Sequence, residues 1–228
     1  MYALNGVTKT YTKHGGTVAA VRDASLSIAD GEWVAIQGRT GSGKTTLLQL
    51  LGAMLRPDHG VVGFGGRDLA RLSETELTQV RAAEIGFVFQ TFNLIPTLSA
   101  AENVEAALVP QRVPPADMQT RAALALDSVG LADRAHHLPS ELSGGQQQRV
   151  GIARALVKQP KVLLADEPTG NLDVDTRDEI MSLLETLWRE RGLTLVLVTH
   201  DSDVAGRAQR VAAMKDGRVS IALAPEEQ

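Results

Sequence analysis

An apolar run, Trp33-Val34-Ala35-Ile36, leads into Gly38-Arg39-Thr40-Gly41-Ser42-Gly43-Lys44-Thr45, and that segment opens into Thr46-Leu47-Leu48-Gln49-Leu50-Leu51. A strand, a glycine-rich loop and a helix that begins with Lys and a hydroxyl residue make the P-loop pattern. It constrains the fold strongly, because a strand must end against a helix N-terminus with its backbone free to wrap an anion. The glycines let successive N–H groups point inward. The helix N-terminus adds partial positive charge and free donors. In that frame Lys44 reaches terminal phosphates and the Thr45 hydroxyl holds Mg²⁺.

The rest of the chain alternates β and α signals. Residues 1–32 read as β, with a turn at Asp30-Gly31 before the Trp33 run. The loop Arg56-Pro57-Asp58-His59-Gly60 is expected to end the P-loop helix. Ser73-Glu74-Thr75-Glu76 fits a capping box, with Leu77 and Val80 on one helix face. Ile85-Gly86-Phe87-Val88-Phe89 is a buried-strand candidate that ends at Gln90. From Thr91 to about Ala155 prolines punctuate the chain, and Ala122, Leu124, Ala125, Leu126 and Val129 suggest a helix that stops at Gly130. Val162-Leu163-Leu164-Ala165 is a continuous apolar run, as a strand covered on both faces requires, and Leu193–Thr199 reads as another buried strand. Ile180, Leu183, Leu184, Leu187 and Trp188 keep helical spacing up to Gly192, and Asp216-Gly217 is a hairpin turn. The expected fold is a single α/β domain over 1–228: a mostly parallel core sheet with an N-terminal antiparallel β portion (about 1–90 and 156–228) and a helical insert (about 91–155).

Composition narrows the function classes. The chain is 43% hydrophobic and 22% charged, which suits a packed core. A net charge of -4 argues against general nucleic-acid binding. With no cysteine, disulfides and thiolate metal sites are excluded. The N-terminus lacks a basic stretch followed by an apolar one, and no run approaches the length of a membrane span. His14, His59, His136 and His137 lie in polar or turn-like stretches and read as solvated surface.

Two further segments carry chemistry. Asp166-Glu167 follows the Val162 run, and ligands of open α/β sheets bind outside the carboxyl ends of strands. Asp166 is expected to face Mg²⁺, and Glu167 to polarise an attacking water. Leu142-Ser143-Gly144-Gly145-Gln146-Gln147-Gln148-Arg149 precedes the helix-like run Val150–Leu156 and makes a second helix N-terminus fit for an anion. An ordinary cap leaves the three successive glutamines without a role.

With these segments in view the chain resembles the nucleotide-binding subunits of ATP-binding-cassette transporters over essentially its whole length. Leu142–Arg149 matches the family signature, Gln90 the Q-loop and Asn171-Leu172-Asp173 the D-loop. His200, in Val198-Thr199-His200-Asp201, matches the switch histidine, and Tyr11 lies where the family stacks an aromatic on adenine. Phe87–Leu98 and Ala165–Asp173 look like the lipoprotein-release and macrolide-export branch, whose segments cell-division and peptide-resistance ATPases share in part. The resemblance implies an ATPase that uses ATP and Mg²⁺. Gly38, Arg39, Thr40, Gly41, Ser42, Gly43, Lys44, Thr45 and Thr46 would hold the nucleotide, with Tyr11 on the base. Thr45, Gln90 and Asp166 would hold the metal. Glu167, His200 and Gln90 would act in hydrolysis. Ser143, Gly144, Gly145 and Gln146 would complete the site of a second copy in a head-to-tail homodimer, and Asp173 of the D-loop would also contact nucleotide.

It also implies a separate membrane permease as partner, a peripheral place on the cytoplasmic face of the inner membrane, and no nucleic acid. Phe92-Asn93-Leu94 and the helical insert would receive that permease. Chromosome and DNA-repair ATPases of the superfamily place long coiled coils between Q-loop and signature, whereas here that interval carries prolines and no sustained heptads. P-loop kinases and GTPases have no use for the signature. A regulator that acts on a membrane protein without transport, as in cell-division members, stays open as an alternative.

Overall fold

The computed structural model describes residues 1–13 and 16–221; the reading of His14 lies outside them. Two compact units are present, residues 1–77 with 194 onward, and residues 78–193.

In the first unit, β1 (Tyr2–Lys13) pairs antiparallel with β2 (Gly16–Ile28) and with β4 (His59–Phe64), which also pairs with the short β5 (Arg67–Asp68). Alternation along β2 is what one buried face demands: Ala24, Leu26 and Ile28 are buried while their neighbours are not, and Val21 is buried on the far side of an irregularity at Asp23, which has φ 49. His59 opens β4 instead of sitting in a loop. A second sheet contains β3 (Trp33–Gln37), which lies between β8 (Thr194–Thr199) and β9 (Arg210–Lys215) and runs parallel to both. All six residues of β8 are buried, which explains the apolar stretch Leu195–Val198 at its centre. β10 (Arg218–Ile221) returns antiparallel to β9 through Asp216 and Gly217, both at positive φ as a tight hairpin requires.

The P-loop helix α1 (Lys44–Leu51) is shorter than expected. It ends at Gly52 and not near Pro57. Met54 N–H donates to the Gln49 carbonyl at 2.9 Å and Ala53 N–H to Leu50 at 3.2 Å, with Ala53 at φ 55. This is a Schellman end with alanine in the left-handed position that glycine usually takes. The Tyr2 hydroxyl donates to the Leu51 carbonyl at 2.9 Å and satisfies another terminal acceptor. The proline therefore lies outside the helix and stops nothing. Leu47, Leu48, Leu50 and Leu51 are buried, each contributing on the order of 1.5–3 kcal/mol to holding the loop's helix in place.

In the second unit, α2 (Glu74–Ala83, which begins just before it) has the expected capping box: Glu76 Oε2 accepts from Ser73 N–H at 2.8 Å and Ser73 Oγ from Glu76 N–H at 3.3 Å. β6 (Ile85–Val88) runs parallel to β7 (Val162–Asp166). Between them the described residues are helical or irregular: α3 (Ala100–Glu105), α4 (Pro115–Asp127) and α5 (Gly144–Leu156), joined by short 3₁₀ turns. Leu124, counted on the apolar side of α4, is 65% exposed, while Ala122, Ala125 and Leu126 are buried. After β7 comes α6 (Val174–Arg191), closed by Gly192 at φ 61. No helix among the described residues is long and apolar enough to cross a membrane.

Candidate functional site

The first unit carries the glycine-rich loop. A Cβ on Gly38 would lie 2.3 Å from the Met214 carbonyl, and one on Gly43 would lie 2.0 Å from the Ala20 carbonyl. Gly43 also sits at φ 107, so side chains are barred there twice. Backbone from β2 and β9 thus presses the loop into shape. Lys44 is 5% exposed, and its Nζ donates to the carbonyls of Gly38 at 2.8 Å and Arg39 at 3.2 Å. Its charge is held inside the loop's curl, where phosphate oxygens would compete for it. Ser42 Oγ is buried with no hydrogen-bond partner among the described residues. Arg39, Thr40, Gly41 and Thr45 are exposed and Thr46 half-buried. His200, exposed just after β8, lines the same open cleft of about 860 Å³ with Gln37, Met214 and Asp216. Tyr11, on β1 opposite Val18, is 37% exposed, as a ring available for stacking must be.

The second unit carries the other residues. Asp166 ends β7, and Glu167 follows with φ 45, a left-handed conformation uncommon for a non-glycine residue. A turn closes behind it, with Gly170 N–H donating to the Glu167 carbonyl at 3.0 Å. Such local strain is typical of functional positions and is held by its surroundings. Gln90 is half-buried and exchanges bonds with Asn171: its Nε2 donates to Asn171 Oδ1 at 3.2 Å, and Asn171 Nδ2 donates to the Gln90 carbonyl at 3.1 Å. A Cβ on Gly170 would lie 2.7 Å from Gln90 Nε2, so glycine lets the two loops meet. Asp173 caps α6, accepting from Thr176 N–H at 2.9 Å and Thr176 Oγ1 at 2.8 Å. The Thr176 backbone donor, then its hydroxyl, holds the Asp173 carboxyl below its ordinary value. Sequence reasoning assigned Asp173 to the nucleotide; within this chain both its oxygens serve the helix.

Ser143 is exposed at the cap of α5 and forms a capping box with Gln146: Gln146 N–H donates to Ser143 Oγ at 3.3 Å and Ser143 N–H to Gln146 Oε1 at 2.9 Å. The three glutamines, unexplained by an ordinary cap, each have a bond. Gln146 closes the box, Gln147 Nε2 reaches the Leu142 carbonyl at 3.1 Å, and the buried Gln148 donates to the Pro168 carbonyl at 2.6 Å. A Cβ on Gly145 would lie 2.5 Å from Thr176 Cγ2, so the small residues let α5 approach α6. Ser143, Gly145 and Gln146 border a cleft of about 270 Å³ with Arg149 and Glu179, themselves an ion pair at 3.2 Å.

The segment after Gln90 differs from expectation. Phe92 is half-buried, with its ring near Gly144 (3.8 Å from where a Cβ would be), and Leu94 is half-buried too. Ile95, 46% exposed, is a large apolar side chain shown to solvent. Phe92 and Asn93 both have positive φ, and Arg154 of α5 donates to both their carbonyls. Sequence reasoning gives Arg154 no role and places Gln148 in the signature without finding its partner. Neither has a local signal beyond a polar residue at a helix position that turns out to face inward.

Strand, phosphate-cradling loop and helix define a P-loop nucleotide-binding domain. A family model described as ABC transporter matches residues 21–170, and the chain belongs to that family. The chain is 47% identical over 213 residues to the lipoprotein-releasing system ATP-binding protein LolD of Geobacter metallireducens, covering 93% of this chain and 95% of that protein. It is 46% identical to the macrolide export ATP-binding/permease protein MacB of Wolinella succinogenes over 95% of this chain, which spans 34% of that longer protein. The dimeric post-hydrolysis structure of the ATP-binding cassette MJ0796, bound to ADP and Pi, matches with a TM-score of 0.89 at 44% identity, covering 96% of this chain and 97% of that one. The chain is an ATPase that binds ATP with Mg²⁺, and its expected mixed α/β cassette fold is the observed one. Among the described residues no group of three or more His, Cys, Asp or Glu could hold a metal ion. A hydroxyl such as Thr45 Oγ1 and a carboxylate such as that of Asp166 are each donor types that a hard cation takes alongside phosphate oxygens and water.

Proposed function

We propose that the chain is the ATP-hydrolysing subunit of an export-type transporter, working as a head-to-tail pair on a separate membrane permease at the cytoplasmic face. The observation that carries this reading is the second helix N-terminus at Ser143, capped and exposed, in a chain that already has a P-loop. Two anion-binding helix ends suit a γ-phosphate held by one copy's P-loop and the other copy's signature. The matches to LolD and to MacB both support the export branch.

Tyr11 stacks on the base, the loop from Gly38 to Gly43 wraps the phosphates, and Lys44 neutralises their charge. Thr45, Gln90 and Asp166 hold Mg²⁺, which when bound offsets charge on the phosphate oxygens. Glu167 accepts a proton from the attacking water, and His200 donates to the γ-phosphate. Ser143, Gly144, Gly145 and Gln146 close the partner's site from above. Asp173 serves at that same join through the helix it caps. Hydrolysis removes the group gripped by both copies, so the pair opens and the permease is released. The helical insert and the loop after Gln90 form the permease-facing part of the chain, which reads as one cassette with core at about 1–90 and 156–228 and insert at about 91–155.

Glu167→Gln tests the pair. Hydrolysis should fall by roughly 10²–10⁴-fold, and ATP-bound dimers should accumulate by mass action. Adding Ser143→Arg should abolish those dimers while each chain still binds ATP. Size measurement in ATP reads the result. A Glu167→Gln protein that turns over ATP at the parent rate removes Glu167 from the role, and one that stays monomeric at saturating ATP counts against the two-chain site.

A further inference from the structure

We propose that Gln148 is a positioning residue that ties the turn carrying Glu167 to the helix carrying Ser143, so that within one chain the acid of one ATP site and the signature serine of the other move together. The proposal rests on the two-chain reading above. Gln148 is fully buried in the second turn of α5, and its Nε2 donates at 2.6 Å to the carbonyl of Pro168, the residue after Glu167. The carbonyl can only accept, so the amide's orientation follows from its partner. Gln148 Oε1 is buried with no hydrogen-bond partner among the described residues. An apolar side chain of that volume would leave no orphan there, and buried polar groups left unpaired are costly. What the glutamine supplies here is the donor to the Pro168 carbonyl.

That carbonyl belongs to a turn with little freedom of its own. Glu167 is left-handed at φ 45, and its carbonyl is taken by Gly170 N–H at 3.0 Å. At the other end, the Ser143–Gln146 box and the Arg149–Glu179 pair fix the start of α5. A displacement of either end passes to the other through one short buried bond, because the packed side chains between them cannot compress.

Mixed dimers test this. Glu167→Gln chains are combined with an excess of Ser143→Arg chains. A head-to-tail pair then has one site with both Glu167 and Ser143 intact and one with neither, and ATP hydrolysis should exceed that of either chain alone. Gln148→Met, which keeps volume and removes the donor, is then placed in one chain or the other. In the Glu167→Gln chain it loosens the serine of the live site; in the Ser143→Arg chain it loosens the acid. The rate should fall roughly ten- to a hundredfold in both placements. ATP affinity of the single chains should stay within about twofold of the parent, so that the loss is in turnover and not in binding. Gln148→Asn, too short to reach Pro168, should repeat the result if Gln148→Met does not fold. A fall in the Glu167→Gln chain alone would make Gln148 part of the signature helix only, and overturns the tie. No fall in either placement, or a fall accompanied by lost ATP binding, overturns it as well. If the parent mixture recovers no activity, the two-chain reading fails and the proposal falls with it, whatever Gln148 does.

Discussion

Lys158 lies just past α5, and its Nζ donates to the Arg81 carbonyl in the last turn of α2 at 2.6 Å. Burial, and then the Arg154 charge, push its ammonium down from 10.5 to about 8. The folded state therefore holds the proton less well than the unfolded chain, and the charged form costs stability. The difference corresponds to roughly 3 kcal/mol at pH 7, where both states are protonated. Against this stands the bond to Arg81, worth about 1–2 kcal/mol when a buried acceptor would otherwise lose its partner. The charge penalty is the larger, so Lys158→Met should stabilise the fold by about 1–2 kcal/mol at pH 7. As pH rises from about 8 to 10.5 the wild-type lysine loses its proton in the folded state first, and its penalty disappears. The advantage of methionine should then vanish and reverse, since the neutral amine still donates to Arg81. Urea unfolding of both proteins at pH 7 and pH 10 measures the two differences. A methionine variant less stable than wild type at pH 7, or a difference independent of pH, would refute the reasoning.

Lys44→Ala removes the cation held at the Gly38 and Arg39 carbonyls, so nucleotide titration should show ATP binding or turnover lost with the unfolding transition little changed. Wild-type hydrolysis would make the loop assignment wrong. Tyr11→Ala should weaken ATP about tenfold or more, the stacking being worth roughly 1–3 kcal/mol, while Tyr11→Phe keeps affinity; equal affinities for the two exclude stacking. Ile95→Asp, at the exposed apolar side chain of the loop after Gln90, should spare basal ATPase activity and abolish stimulation by a co-expressed permease, and intact stimulation contradicts that role.

Features carried by contiguous residues were legible without a structure. The P-loop, the Ser73 and Ser143 caps, the Gly192 stop, the Asp216-Gly217 hairpin and the apolar runs of β3, β7 and β8 depend on local backbone geometry and on period. Each is decided by the chemistry of a few neighbours, so the pattern alone states it. The end of α1 is not legible in the sequence, because proline is a loud signal and Ala53 a quiet one: alanine gives no notice that it will take a left-handed conformation. What tertiary structure decided is which distant groups meet. That Gly43 must lack a side chain because the Ala20 carbonyl lies 2.0 Å from its would-be Cβ, that Gln90 and Asn171 exchange bonds, and that Gln148 faces the Pro168 carbonyl are consequences of packing between segments far apart in the chain. Helical spacing places Gln148 and Arg154 on α5 but does not say what lies against each face. Inward-facing polar groups are settled by what the fold brings opposite them, because a buried donor must find its acceptor and local sequence carries no record of where that acceptor will be.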